Sequence, residues 1–120
     1  VQLSEVWLEG CEADRVFVGS ANIEGMIVRH CAVQHLTLSG QVVISDSVFD
    51  GCELAGASMG PGVELDNVTF VECNLEDADL RFTPVGIVKF TGCRVDNEAH
   101  ERYTRDYPDL VRFAEINGAD

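Results

Sequence analysis

Apolar residues recur along this chain at intervals of five. Leu3, Leu8, Ala13, Val18, Ile23, Val28, Val33, Leu38 and Val43 form a first run, Phe49, Leu54 and Met59 continue it after one extra residue, and Leu65, Phe70, Leu75, Leu80, Val85, Phe90 and Val95 complete it after a second. The position two before each of these is mostly small or apolar as well, as at Ala21, Ser47, Ala57, Ala78 and Thr83; Gln41 is the poorest fit. An α-helix needs apolar residues every 3.6 positions and a strand every second one, so neither explains this spacing. A polygonal coil does, if five residues make one side and the central residue and the one two before it point inward.

The five cysteines set the length of one turn. Cys11, Cys31, Cys52, Cys73 and Cys93 are separated by 20, 21, 21 and 20 residues, and Phe49, Phe70 and Phe90 each stand three residues before a cysteine. Four sides of five residues therefore make one coil, and a period of this kind is the signature of a solenoid. The two sixth residues are expected at corners, one within Ile44-Ser45-Asp46 and one within Gly60-Pro61-Gly62, where turn chemistry absorbs an extra residue.

Ala21-Asn22-Ile23-Glu24-Gly25, Cys73-Asn74-Leu75-Glu76-Asp77 and Ala78-Asp79-Leu80-Arg81-Phe82 follow the loose pattern A-(D/N)-L-x-x. In these motifs the chain resembles the pentapeptide-repeat family, while Val16-Phe17-Val18 and Gln41-Val42-Val43 depart from the pattern. The resemblance implies an all-β solenoid, a right-handed quadrilateral β-helix of about five coils over residues 1–97, with a short C-terminal helical cap or tail over 98–120. In that tail Asp96 opens a helix, Pro108 suits the first position of a second one, and Gly118 suits its stop. Leu110, Val111 and Phe113 are the residues expected either to cover the last coil or to contact a second copy.

Little in the sequence points to catalysis. The cysteines fall on one inward row, one per coil, and lack the spacing of a metal site, so they read as a structural ladder of small hydrophobes. Unpaired thiols imply a reducing, cytoplasmic setting. His30 and His35 fall at outward corners and His100 in the tail, with no nucleophile beside them. No catalytic, cofactor or metal site is expected, and no apolar run is long enough to span a membrane. The chain begins at Val1 rather than at an initiator methionine, so its lack of a leader excludes no targeting segment.

The outward positions are more informative. With 21 acidic and 8 basic residues the net charge is -13, which repels nucleic acid and favours a basic protein partner. The register gathers Glu9, Glu12, Asp14, Asp50, Glu53, Glu72, Glu76, Asp77 and Asp96 on the cysteine-bearing side and its preceding edge, with Arg15, Arg29 and Arg94 interrupting them. It also places Trp7, Ile27 and Val48 on one outward row, with Val42 and Ile44 at nearby corners, as an apolar contact surface that could join a homodimer. The expected function is a non-catalytic protein-interaction or scaffold module. The alternative implied by the resemblance is an acidic DNA mimic that binds a type II topoisomerase (gyrase) or another DNA-binding protein.

Overall fold

A computed structural model describes residues 2–114. The first coil consists of four three-residue strands, β1 (Gln2–Ser4), β2 (Trp7–Glu9), β3 (Glu12–Asp14) and β4 (Phe17–Gly19). The second repeats it with β5 (Asn22–Glu24), β6 (Ile27–Arg29), β7 (Ala32–Gln34) and β8 (Thr37–Ser39). In the third coil β9 (Val42–Asp50) covers two sides and β10 (Ser58–Met59) the fourth. The fourth coil holds β11 (Val63–Val71), β12 (Asn74–Leu75) and β13 (Asp79–Leu80), and the fifth β14 (Thr83–Pro84), β15 (Val88–Thr91) and β16 (Arg94–Val95). Every pairing between coils is parallel, so the molecule is a four-sided β-solenoid of about five turns, as the five-residue period predicts.

The corners explain why five residues suffice for a side. On fifteen sides the residue two after the central apolar one has a positive φ, from Glu5 (56°) to Gly92 (63°). This is the left-handed conformation of the third residue of a type II turn, and it swings the next strand through a corner. Corner amides are then satisfied between coils: Gly10 N–H donates to the Arg29 carbonyl at 3.0 Å and Arg15 N–H to the Gln34 carbonyl at 2.8 Å. Among the described residues nine of the left-handed ones are not glycine, each of them carrying local strain that the ladder on either side must hold.

The inward columns pack as continuous stacks. Phe49, Phe70, Phe90 and Phe113 form one, with ring centroids 4.9, 4.9 and 5.0 Å apart and nearly parallel planes. Cys31, Cys52 and Cys73 are buried in another, where the thiols of Cys52, Cys73 and Cys93 reach the carbonyls of Val28, Phe49 and Phe70 at 3.2–3.4 Å. Cys11 departs from the expected buried column. It holds the register, its N–H meeting Cys31 Sγ at 3.4 Å, but it lies on the first coil, whose inner residues Leu3 and Leu8 are also exposed.

Two register details differ from the sequence reading. The first sixth residue sits at Gly40-Gln41 rather than within Ile44-Ser45-Asp46, because Ile44, not Val43, pairs with Ile23 and Leu65. Val42 and Ile44 are consequently buried, at 0% and 2% exposure, and are core residues, not members of an outward apolar surface. The extra residue is accommodated where Gly40 (φ 80°) and Gly62 (φ 96°) stack so closely that a Cβ on Gly62 would lie 2.5 Å from the Gly40 carbonyl oxygen. The second detail lies in the fifth coil, where Pro84 pairs with Leu65 and Val85 is 51% exposed. Phe82, two before Pro84, is buried, and Thr83 faces out.

The tail closes the last coil. Helix α1 (Asn97–Asp106) follows Asp96 as expected, and its Tyr103 ring stacks on Phe82 at 4.4 Å while its hydroxyl donates to the Phe82 carbonyl at 2.7 Å. Arg102 Nη1 donates to the Leu80 carbonyl at 2.6 Å. The second segment is not a helix. Residues 108–110 form a turn, and β17 (Val111–Ala114) pairs in parallel with β15 as a partial sixth layer. The expected stop at Gly118 lies outside the described residues.

Candidate interaction surfaces

Because each strand centre points inward, its two neighbours point outward, and coil stacking lines these up in rows. Glu12, Ala32, Glu53, Asn74 and Arg94 form one row on the cysteine-bearing side. Glu9, Arg29, Asp50, Val71 and Thr91 form the row before the corner that leads to it. Glu72 stands on that corner at φ 50°, and Asp77 on the next at φ 59°. Asp14 pairs with Gln34 across the next outward row, and Glu76 and Asp96 follow the paired residues Leu75 and Val95. All nine carboxylates singled out in the sequence therefore lie on one side of the solenoid and its edges.

That side is partly neutralised by its own contacts. Arg29 Nε lies 3.7 Å from Asp50 Oδ2, Arg94 Nη1 3.7 Å from Glu76 Oε1, and His35 Nδ1 3.2 Å from Asp14 Oδ1. Asn74 Nδ2 donates to Glu53 Oε2 at 3.0 Å, and the Asp77 amide donates to Asp96 Oδ1 at 3.2 Å. These pairs are exposed and each is worth little to stability, but they interrupt the field that a partner meets. Among the described residues no carboxylate is buried.

The apolar row is a second surface. Trp7, Ile27, Val48, Thr69, Lys89 and Arg112 follow one another coil by coil. Trp7 is 60% exposed and Val48 36%. The row extends further than the sequence reading took it, because β17 adds Arg112 as a sixth member, and a second helix was expected there. Phe17, 69% exposed on β4, is a further outward aromatic that the reading did not single out, although its place beside the inward Val18 marked it.

The remaining residues are structural. Val111 is buried and Phe113 caps the phenylalanine stack, so both serve the chain's own closure; Leu110 is half-buried, its carbonyl accepting from Val88 N–H at 2.8 Å. Burial pushes the Cys31 thiol up from its ordinary value, and thiol contacts with Cys52 and Cys93, together with burial, raise that of Cys73. Among the described residues no group of three or more His, Cys, Asp or Glu could hold a metal ion, and no helix is long and apolar enough to cross a membrane. The interior of the first coils opens as an apolar hollow of about 190 Å³ lined by residues including Leu8, Ala13, Val18 and Met26.

No family model and no curated protein matches the chain. Among solved structures it is similar to two trypsin-treated variants of QnrB1, described as a plasmid-mediated fluoroquinolone resistance protein. One is 14% identical with a TM-score of 0.36 over 80% of this chain, the other 13% identical with a TM-score of 0.27 over 74%. The chain spans 56% of the length of each.

Proposed function

We propose that the chain is a non-catalytic protein-interaction module whose cysteine-bearing side receives a basic protein partner. The observation that supports this is the gathering of nine carboxylates, spread from Glu9 to Asp96 in sequence, onto one side of a lattice fixed by parallel ladders. A surface so held loses little conformational entropy on binding, and its charge steers a cationic partner toward it. The inward positions that could enclose a reaction centre are instead filled by apolar side chains.

A more specific reading is that the acidic side imitates DNA toward a DNA-binding protein such as a type II topoisomerase. Residues 1–97 carry 15 acidic and 5 basic residues, a net of -10. Five coils at strand spacing extend roughly 24 Å, over which duplex DNA carries about 14 phosphate charges. The line charges are of the same order, although the Arg29 and Arg94 contacts break the array.

Capture of partners from the native host, with and without competing duplex DNA, separates the two. A partner displaced by DNA, together with salt-sensitive inhibition of gyrase supercoiling that is lost on replacing Glu53, Glu72 and Glu76 by lysine, supports mimicry. A DNA-insensitive partner lost with the same three substitutions supports the module alone. Retention of every partner by that variant would exclude the acidic side.

A further inference from the structure

The five cysteines share one column but not one environment. Cys52, Cys73 and Cys93 each donate to two carbonyls, one two residues back and one in the coil before: Asp50 and Val28, Val71 and Phe49, Thr91 and Phe70. Cys31 and Cys11 each donate to one only, that of Arg29 at 3.3 Å and that of Glu9 at 3.6 Å. Cys31 Sγ instead leans on its neighbour, accepting from the Cys11 N–H at 3.4 Å. Burial raises the Cys31 thiol, and the adjoining Cys11 thiol adds to that rise. Cys11 is exposed, whereas Cys31 is only 3% exposed.

We propose that Cys11 and Cys31 form a redox modification site, a dithiol that a peroxide converts into a disulfide joining the first two coils. Glu12 pairs with Ala32, and the Ala32 N–H donates to the Cys11 carbonyl at 2.9 Å, so the two cysteines stand one above the other. Strand spacing puts their α-carbons about 4.8 Å apart, inside the roughly 4.4–6.8 Å span of disulfides. Their β-carbons point the same way at a similar separation and must close by roughly 0.5–1 Å. The first coil can supply that movement, because among the described residues β3 is bonded on one side only, to β7. The middle coils cannot, since Glu53 bridges both Ala32 and Asn74. The fifth coil is held as well: the Gly92 N–H, just before Cys93, donates to the Ala114 carbonyl at 2.7 Å.

Exposure sets the order of events. The Cys11 sulfur attacks one oxygen of hydrogen peroxide; an S–O bond forms, the O–O bond breaks, and the departing hydroxide leaves as water with the Cys11 proton. The Cys31 sulfur, shielded from peroxide, then attacks the sulfenic sulfur of Cys11. The S–S bond forms, the S–O bond breaks, and a second water leaves with the Cys31 proton. The dithiol gives up two electrons and two protons, and one peroxide becomes two waters. Because the first coil tilts to make the bond, the disulfide is strained, and strained disulfides are the ones that thiols reopen.

The test is to treat the reduced, native chain with equimolar hydrogen peroxide. Loss of two of the five thiols is expected, with mass spectrometry of unreduced peptides placing one bond at Cys11–Cys31 within a monomer. Hydrogen exchange at the Gly10 and Arg15 amides, which donate to Arg29 and Gln34, should slow by about tenfold or more, while the Gly51 amide is unchanged. Millimolar glutathione restores both thiols and the faster exchange. Cys31→Ala is expected to stop at a Cys11 sulfenic acid that dimedone traps, and Cys11→Ala to lose no thiol. Alanine already fills the equivalent inward position at Ala21 and Ala57, so both variants keep the fold, as circular dichroism will show. A disulfide between any other pair, or between two copies, overturns the proposal. So does a Cys11 that halts as sulfenic or sulfinic acid in the unmodified chain, or thiol loss in Cys11→Ala.

Discussion

Replacing Phe70 by alanine tests how far the solenoid behaves as a stack. Its side chain is 1% exposed and lies between two rings, Phe49 and Phe90, each 4.9 Å away. Deleting a buried phenylalanine side chain costs about 3–5 kcal/mol, the larger values applying where the surroundings cannot collapse. Here β9, β11 and β15 are tied to one another residue by residue, so the coils above and below cannot close the gap. The upper half of that range is expected, and at a urea m-value of about 2 kcal/mol/M it lowers the unfolding midpoint by about 2 M. Phe113→Ala is the control, because that ring is half-buried and stacks on only one phenylalanine, at 5.0 Å. Its loss should cost about 1–2 kcal/mol, from the Phe90 pair, the tilted contact with the His100 ring at 4.3 Å and partial burial. Far-UV circular dichroism against urea measures both. If Phe113→Ala proves as costly as Phe70→Ala, the stack is not what holds the middle coils, and the argument fails.

Four further outcomes follow from the same packing. Leu75→Asp places a charge at a fully buried position and should abolish cooperative unfolding, whereas Glu76→Ala, one residue on and outward, should shift the thermal midpoint by no more than a degree or two. Gly62→Ala combines a φ of 96° with a Cβ 2.5 Å from the Gly40 carbonyl oxygen, and should cost about 1–3 kcal/mol by chemical denaturation. Burial raises the Tyr103 hydroxyl above its ordinary value near 10, so the folded state holds that proton more tightly than the unfolded one; stability is complete below pH 10 and falls above it, and Tyr103→Phe should flatten this decline. A thiol reagent added to the native protein should label Cys11 first and the buried Cys31, Cys52 and Cys73 only on unfolding, as mass mapping of the labelled peptides will show.

The period of five was legible because each inward centre is apolar whatever its neighbours are, and the cysteines fixed the coil length. The corners were not, since Val42, Val43 and Ile44 are all apolar and either register has an apolar centre, Val43 with Gln41 two before it or Ile44 with Val42 two before it. The poor fit of Gln41 counted against the first, and the pairing of Ile44 with Ile23 and Leu65 decides for the second. In the fifth coil the cysteine spacing of 20 conceals two errors that cancel: four residues from Leu80 to Pro84 and six from Pro84 to Phe90. The tail was misread for a related reason. Pro108 and the apolar residues after it suit a helix start, but the strand edge of β15 offers Val111–Ala114 a ladder and Phe90 offers Phe113 a ring, and tertiary contact outweighed local preference. Which side of the coil each carboxylate occupies follows from the period alone, whereas the contacts of Arg29 with Asp50 and of Arg94 with Glu76 needed side-chain geometry.

The left-handed corner has a consequence for the length of the molecule. Since four sides and their corners return the chain to the same direction one strand spacing above the preceding coil, a coil is defined by what it does to the backbone rather than by which residues compose it. Removing residues 44–64, one full turn from Ile44 to the residue before Leu65, leaves Ile23 beneath Leu65 and Val28 beneath Phe70, the partners that β9 otherwise separates. The closing contacts of Tyr103, Arg102 and Phe113 involve only residues from Leu80 onward and travel with the end they seal. The chain is thus a ruler with a fixed stop: its reach along the axis can be reset in steps of about 4.8 Å by whole turns, without redesign of the end that terminates it.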